Sequence, residues 1–399
     1  MRHIYLAATG MNRGKTTVCL GFLNGSLSRG LATGFMKPVG QRTVIEDGVP
    51  ADEDAVLMRN VFGLPDLMPV MSPVHIPRGF TRAYINGDVV EDLGARIRAA
   101  HAILAADRDV VLIEGTGHAG VGAVVGLSNA AVAAMLGAPA IIVSEGGVGR
   151  PIDEIVLNAT LFARHGVPIA GAIVNKVKMD AQPEIARVLE RGLARQGIPL
   201  LGVLPYRPIL SNPTLSMVLA GVRGETIWPG PDLDRVVDDV AIGAMQPRHM
   251  LERVGPGTLL IVPGDRDDVI LALTAAHFAG RGAIGLVLTG GYRPSATTVA
   301  AIRTADLFAT LVAEDTYAVA SEVHDLLVKT HSSDREKVEL IKELVGAHLD
   351  MDRILSVATP VGAQGRRSAR TPRRAANRGP LLADQLVVDQ PRGTEPDRH

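Results

Sequence analysis

The sequence is poor in aromatics, in cysteine and in net charge. Phe, Trp and Tyr make up 3% of its 399 residues, too few for a platform on which single-stranded nucleic acid stacks. Acidic and basic residues nearly cancel, 42 against 41, for a formal net charge of -1. That leaves no global field to draw in nucleic acid or an anionic membrane, and neither is an expected partner. The single cysteine, Cys19, excludes an internal disulfide and fits a reducing cytoplasm. It lies in the first predicted helix, where a small core residue is expected. No apolar run reaches the ~20 residues that span a bilayer. The opening "MRHIYLAATG" is followed at once by Asn12, Arg13 and Lys15, unlike a signal peptide. A soluble cytoplasmic protein is predicted. With 47% hydrophobic and 21% charged residues, the chain can bury a substantial core in two or three domains.

Residues 1–210 alternate short β-branched runs with helical stretches. The runs are 3–10, 32–39, 109–116, 138–146, 169–177 and 199–206, with helical patterns such as 91–106 and 183–197 between them. This alternation predicts an α/β fold with a parallel sheet, and the nearly continuous apolar strands predict that both faces are covered. Pro and Gly punctuate the next stretch, so 211–245 reads as a linker. A smaller α/β domain is expected over 246–350, with strands at 257–265, 282–291 and 307–316 and helices near 266–279, 294–304, 315–328 and 334–348. From 358 to 399 six arginines between 366 and 378 lie among small residues and prolines. That segment cannot bury apolar surface and reads as a disordered basic tail.

The first strand runs into "AATGMNRGKTT", residues 7–17, and then a helix. A phosphate-binding loop usually places a Gly, four free positions, then Gly-Lys-Ser/Thr. Here Gly14-Lys15-Thr16 is intact, but Thr9 stands where the first Gly belongs. Backbone N–H groups of Gly10, Met11, Asn12, Arg13 and Gly14 and the positive helix end favour phosphate. Lys15 would neutralise phosphate charge, Thr16 would ligate Mg²⁺ and Thr17 would support the α-phosphate. Glu114 ends the apolar run "VLIE", so it projects at the carboxyl edge of the sheet, where a carboxylate can bind Mg²⁺. On spacing alone, Asp54 in "ADEDAVLM" reads as part of an ordinary acidic first turn rather than as a ligand. Lys37 in "FMKPVGQR" is equally a snorkelling edge lysine or a group facing substrate.

In order and spacing, "ATGMNRGKTT", "MKPVGQ", "DEDAVLM", "VLIEGTG" and "AIVNKV" resemble dethiobiotin synthetase. That family's loop has five residues, not four, before Gly-Lys-Thr, so Ala8 takes the first position. The resemblance implies ATP and Mg²⁺ as cofactors. It implies Lys15 and Thr16 on phosphate and metal, Asp54 and Glu114 around the metal, and Lys37 on the reacting substrate. Asn175 would read the adenine edge, with Pro205 nearby. The chain departs from the pattern at Ala8, at Met11-Asn12-Arg13 in place of an acidic residue, at Gln41 and at His118. "NKVKMD" is similar to the guanine reader of GTPases but has Lys178 where the acid belongs, which favours ATP. Gly10 stands where partition-type ATPases carry a signature lysine.

The stretch beginning "IVPGDRDD" and ending "LVLTGGYRPS" resembles the DRTGG domain, with Asp265-Arg266 and Thr289-Gly290-Gly291 as its named residues. Read from the residues, these are strand-to-helix turns. Asp265 would suit an N-cap, and Arg266 and Arg293 either bind an anion or pair with local carboxylates. The tandem order is similar to the N-terminal half of long phosphate acetyltransferases, without the acyltransferase domain. The resemblance implies a nucleotide-sensing, regulatory role, with an acyltransferase or other metabolic enzyme as partner and a homo-oligomer as assembly. The alternatives are a stand-alone ATP-dependent ligase activating a small carboxylate or carbamate, and an assembly-type ATPase.

Overall fold

The computed structural model describes residues 2–178, 182–324, 326, 330–332 and 334–357. The expected basic tail lies outside them, as do Asp180 and part of the helix expected at 315–328. The described residues form two units. One combines residues up to 205 with those from 331 onward, and the other runs from 206 to 330.

The first unit is built on a six-stranded parallel sheet. Its strands are β1 (Arg2–Ala8), β2 (Thr33–Met36), β3 (Val110–Glu114), β4 (Ala140–Glu145), β5 (Ile169–Val177) and β6 (Leu200–Pro205). Their order is β6-β5-β4-β1-β3-β2. The intervening helices include α1 (Lys15–Leu27), α2 (Glu53–Phe62), α3 (Leu93–Ala105), α4 (Asn129–Met135), α5 (Gly149–Arg164) and α6 (Gln182–Ala194). Every residue of β2 and β3 is buried, as a sheet covered on both faces requires. All six apolar runs thus become the strands expected of them. From β1 the chain leaves towards β2, and from β3 it crosses β1 to β4. That reversal opens a crevice at the carboxyl end of β1, where such sheets take ligands.

The second unit holds a five-stranded sheet. Its strands are β7 (Glu225–Trp228), β8 (Asp239–Ile242), β9 (Thr258–Pro263), β10 (Gly285–Thr289) and β11 (Phe308–Leu311), in the order β7-β11-β10-β9-β8. Only β7 pairs antiparallel. Its helices include α7 (Leu215–Val222), α8 (Asp267–Phe278), α9 (Ala296–Thr304) and α10 (Thr316–His324). Along β9 alternate residues serve two cores: Leu260 and Val262 pack on one face, Leu259 and Ile261 on the other. Residues 211–245, expected as a linker, carry α7 and both edge strands. The apolar signal there is weak because edge strands are only half covered: three of the four β8 residues are exposed.

Two further helices, α11 (Arg335–His348) and α12 (Met351–Val357), belong to the first unit rather than to the smaller domain in which the sequence placed 334–348. A Cβ built on Gly21 of α1 would come 2.1 Å from Val345 of α11, and one on Gly202 of β6 would come 2.2 Å from Leu349. Glycine at both positions is what lets the returning chain lie this close. Among the described residues no helix is long and apolar enough to cross a membrane.

Candidate functional site

Residues 9–14 join β1 to α1 at the crevice. Gly14, at φ 88°, is the N-cap of α1 and offers no side-chain cap, so the first-turn amides of α1 stay available to a ligand. Asn12 also has positive φ, 58°. Met11 is exposed, Gly10 and Thr17 are half-buried, and Lys15 is buried. Burial pulls the Lys15 ammonium down to about 8, and the charge of Lys37 adds to the effect.

Lys15 and Thr16 open α1, Lys37 follows β2, Asp54 sits in the first turn of α2, and Glu114 ends β3. The structure brings all five together. Lys37 Nζ donates to Asp54 Oδ2 at 2.6 Å and to Glu114 Oε1 at 3.1 Å. Thr16 Oγ1 lies 3.3 Å from Asp54 Oδ1 and 3.3 Å from the same Glu114 oxygen. The side chains of Lys37 and Glu114 are 5% and 1% exposed, so this is a buried ion cluster rather than a snorkelling surface lysine. Burial opposes the Lys37 charge, but Asp54, Glu114 and Asp52 outweigh it and hold the ammonium well above its usual range. Burial pushes Glu114 up against the pull of Lys37. Asp52 is the N-cap of α2, accepting from Asp54 N at 3.0 Å and from Gln41 N at 3.2 Å. It thereby fixes the turn that presents Asp54.

Sequence reasoning named Arg13 and Asn175 but missed Glu145, Glu154 and Lys176, which help to hold the loop. Arg13 pairs with Glu145 at the end of β4 and reaches Glu154 of α5 at 3.6 Å. Thr9 Oγ1 donates to Glu154 Oε2 at 2.8 Å. Lys176 donates to Asn12 O at 2.9 Å and pairs with Glu145 at 3.3 Å. Asn175 is buried beneath the loop, with Nδ2 donating to Arg13 O at 3.1 Å and Oδ1 accepting from Lys176 N at 2.8 Å. Its amide is turned to the main chain, and Pro205 lies on the adjacent strand, in register with Val177. Asn129, also unforeseen, accepts from Tyr5 Oη at 2.8 Å and donates to Thr116 O and His118 O at 2.7 Å each. It ties down the glycine-rich loop after Glu114. No sequence signal links these residues, because most of these contacts join separate segments of the chain, the bond between neighbours Asn175 and Lys176 excepted.

In the second unit, the turns at Asp265-Arg266 and Thr289-Gly290-Gly291 behave as connections. Asp265 is exposed and does not cap α8; Arg266 is its N-cap and has no side-chain cap bond. The turn places the longer side chain at that position, and its guanidinium grips Asp268 at 2.8 and 2.9 Å. Arg293 pairs with Glu225 at 2.9 Å. Thr289 Oγ1 lies 2.8 Å from Thr316 Oγ1. A Cβ on Gly264 would come 1.7 Å from Tyr292 O, so the two turns touch backbone to backbone.

Residues 2–214 match the AAA domain family, in its dethiobiotin-synthetase-like phosphate-loop form, and residues 218–326 match the DRTGG domain. The first match covers more than half of the chain. The protein belongs to this AAA-domain family. It is similar to the phosphate acetyltransferases of Pseudomonas aeruginosa, 28% identical over 88% of this chain and 51% of that protein, and of Pseudomonas putida, 29% identical over the same shares. The chain spans about half the length of these curated relatives. Among solved structures, the MinC:MinD cell division protein complex of Aquifex aeolicus is 13% identical, with a TM-score of 0.35, covering 53% of this chain and 84% of that one.

An AAA-domain phosphate loop implies a nucleotide and a divalent cation. Hard oxygen donors suit Mg²⁺, which takes one or two carboxylates and completes its shell with phosphate and water. Thr16 Oγ1 and the carboxylates of Asp54 and Glu114 supply such a set, and Glu114 Oε2 is buried without a hydrogen-bond partner, beside the Cys19 thiol. Among the described residues no three His, Cys, Asp or Glu side chains cluster as a self-sufficient metal site. The residues therefore fit a metal shared with phosphate oxygens rather than one caged by protein.

Proposed function

We propose that the AAA-domain unit binds Mg²⁺-ATP and that the chain acts as a nucleotide-sensing, regulatory protein. The observation that carries this reading is the meeting of Lys15, Thr16, Lys37, Asp54 and Glu114 at the uncapped start of α1. Lys15 and the loop amides would hold phosphates, and Thr16, Asp54 and Glu114 the metal. A regulatory role draws support from the pairing with a DRTGG domain and from the likeness to part of the phosphate acetyltransferases. An acyltransferase or another metabolic enzyme is the proposed partner, in a cytoplasmic homo-oligomer.

Heating the protein with and without Mg²⁺-ATP tests the reading. ATP at about 100 times its dissociation constant should stabilise the fold by about 2.7 kcal/mol, and Lys15→Ala should abolish the effect. No ATP-dependent stabilisation in the unsubstituted protein would defeat it.

Lys37 supports a second reading. A buried lysine bonded to Asp54 and Glu114 beside the phosphate loop would, in this reading, turn to a reacting carboxylate or carbamate, as in a dethiobiotin-synthetase-like ligase. ATP turnover with pooled small carboxylates would favour the ligase; binding without turnover would favour the sensor.

A further inference from the structure

Two cations, Lys15 and Lys37, lie in the buried cluster with Asp54 and Glu114, and Asp52 adds its charge from close by. The Lys37 ammonium is thus already answered by carboxylates. The ammonium of Lys37 also stands where three oxygen donors converge. It touches Asp54 at 2.6 Å and Glu114 at 3.1 Å, the carboxylates that Thr16 approaches at 3.3 Å. A divalent cation using those donors must therefore displace Lys37 or lie within a few ångströms of it. At 5% side-chain exposure, Lys37 has little solvent to soften that encounter. Like charges buried a few ångströms apart repel strongly, whereas phosphates arriving with the metal bring the anionic charge that balances both.

We propose that Lys37 is a built-in cation that holds the Asp54–Glu114 pair against divalent metal until nucleotide phosphates arrive, so that metal and nucleotide enter as a coupled pair. When the pair enters, the ammonium exchanges its carboxylates for phosphate oxygens. A residue credited with meeting substrate thus also sets the order of binding. Cys19 is part of the same surroundings: its buried thiol lies beside Glu114 and offers no competing charge.

This inference rests on the Mg²⁺-nucleotide reading, but its test uses metal alone. Mn²⁺ binding to the full chain is followed by electron paramagnetic resonance without nucleotide. The unsubstituted protein should retain almost none. Lys37→Gln should bind Mn²⁺ about 100-fold more tightly, a modest fraction of the repulsion expected between charges about 4 Å apart. Lys37→Arg, which keeps the charge, should behave as the unsubstituted protein does. Tight Mn²⁺ binding by the unsubstituted protein overturns the proposal, and so does a Lys37→Gln protein that gains none. Should Lys37→Gln unfold for want of a counter-charge, Mn²⁺ should restore its fold, and failure to do so also overturns the proposal. Loss of ATP-dependent stabilisation in the unsubstituted protein would defeat the nucleotide reading without touching the Mn²⁺ result.

Discussion

His3 on β1 and His101 on α3 stack edge to face with ring centroids 4.7 Å apart. His3 Nδ1 lies 3.2 Å from Leu136 O, while Nε2 of both rings is buried without a partner. A protonated ring here would have no anion to answer it. Burial pulls His101 down to about 4, with His3 adding to the shift, and burial lowers His3 as well. Both rings are thus neutral in the fold at pH values where the unfolded chain protonates them. The unfolded state binds more protons below its histidine value of 6.5, so stability is full above that pH and falls as the pH drops towards 4. The expected loss from this pair is about 1–3 kcal/mol. Chemical denaturation between pH 7.5 and 4.5 measures it, and His101→Leu should flatten that part of the profile. An unchanged slope would show that the acid sensitivity arises elsewhere.

At the scale of elements, α1 serves two partners. Its first turn faces the phosphate loop and its middle packs under α11, where Gly21 meets Val345. In an exposed helix Gly→Ala stabilises by about 1 kcal/mol. Here the added Cβ would sit 2.1 Å from the Val345 Cβ, and overpacking of that kind costs about 1–3 kcal/mol or more. Gly21→Ala should therefore be net destabilising and should expose residues 335–357 to limited proteolysis. Unaltered cleavage there would mean that α11 can shift without loosening. This contact also marks how far the sequence was legible. The six central strands and the loop were readable, because buried parallel strands and Gly-Lys-Thr announce themselves locally, whereas Lys37 and Asp54 were tied to the loop only by the family resemblance. The destination of α11 was not, because an amphipathic helix shows only that one face is buried and not against what. β7 and β8 escaped notice for a related reason: as short, half-covered edge strands they carry little apolar signal.

At the scale of the whole molecule, one unit is made of two separated stretches of chain and the other of one continuous stretch. The AAA-domain match ends at 214, so it includes every strand of the six-stranded sheet but neither α11 nor α12. Those helices bury Val338, Ile341, Leu344 and Val345, and then Met351, Ile354 and Leu355, and Leu349 bridges to Gly202 of β6. A fragment of residues 2–214 would expose the surfaces of α1 and β6 that these side chains cover. Each fully buried side chain of this kind contributes about 1.5–3 kcal/mol before ordering costs. Residues 206–330, in contrast, contain both faces of their own core and should melt cooperatively by themselves. For 2–214 the expectation is a Tm lower by on the order of 10 °C than the corresponding transition of the full chain, with dye binding to newly exposed apolar surface. Adding a peptide of residues 331–357 should recover part of the loss. If the fragment melts with the full chain and ignores the peptide, the returning helices are an appendage. If it depends on them, the phosphate-loop helix is held by a stretch more than 300 residues further along the chain, and a ligand that moved α1 would be felt by α11.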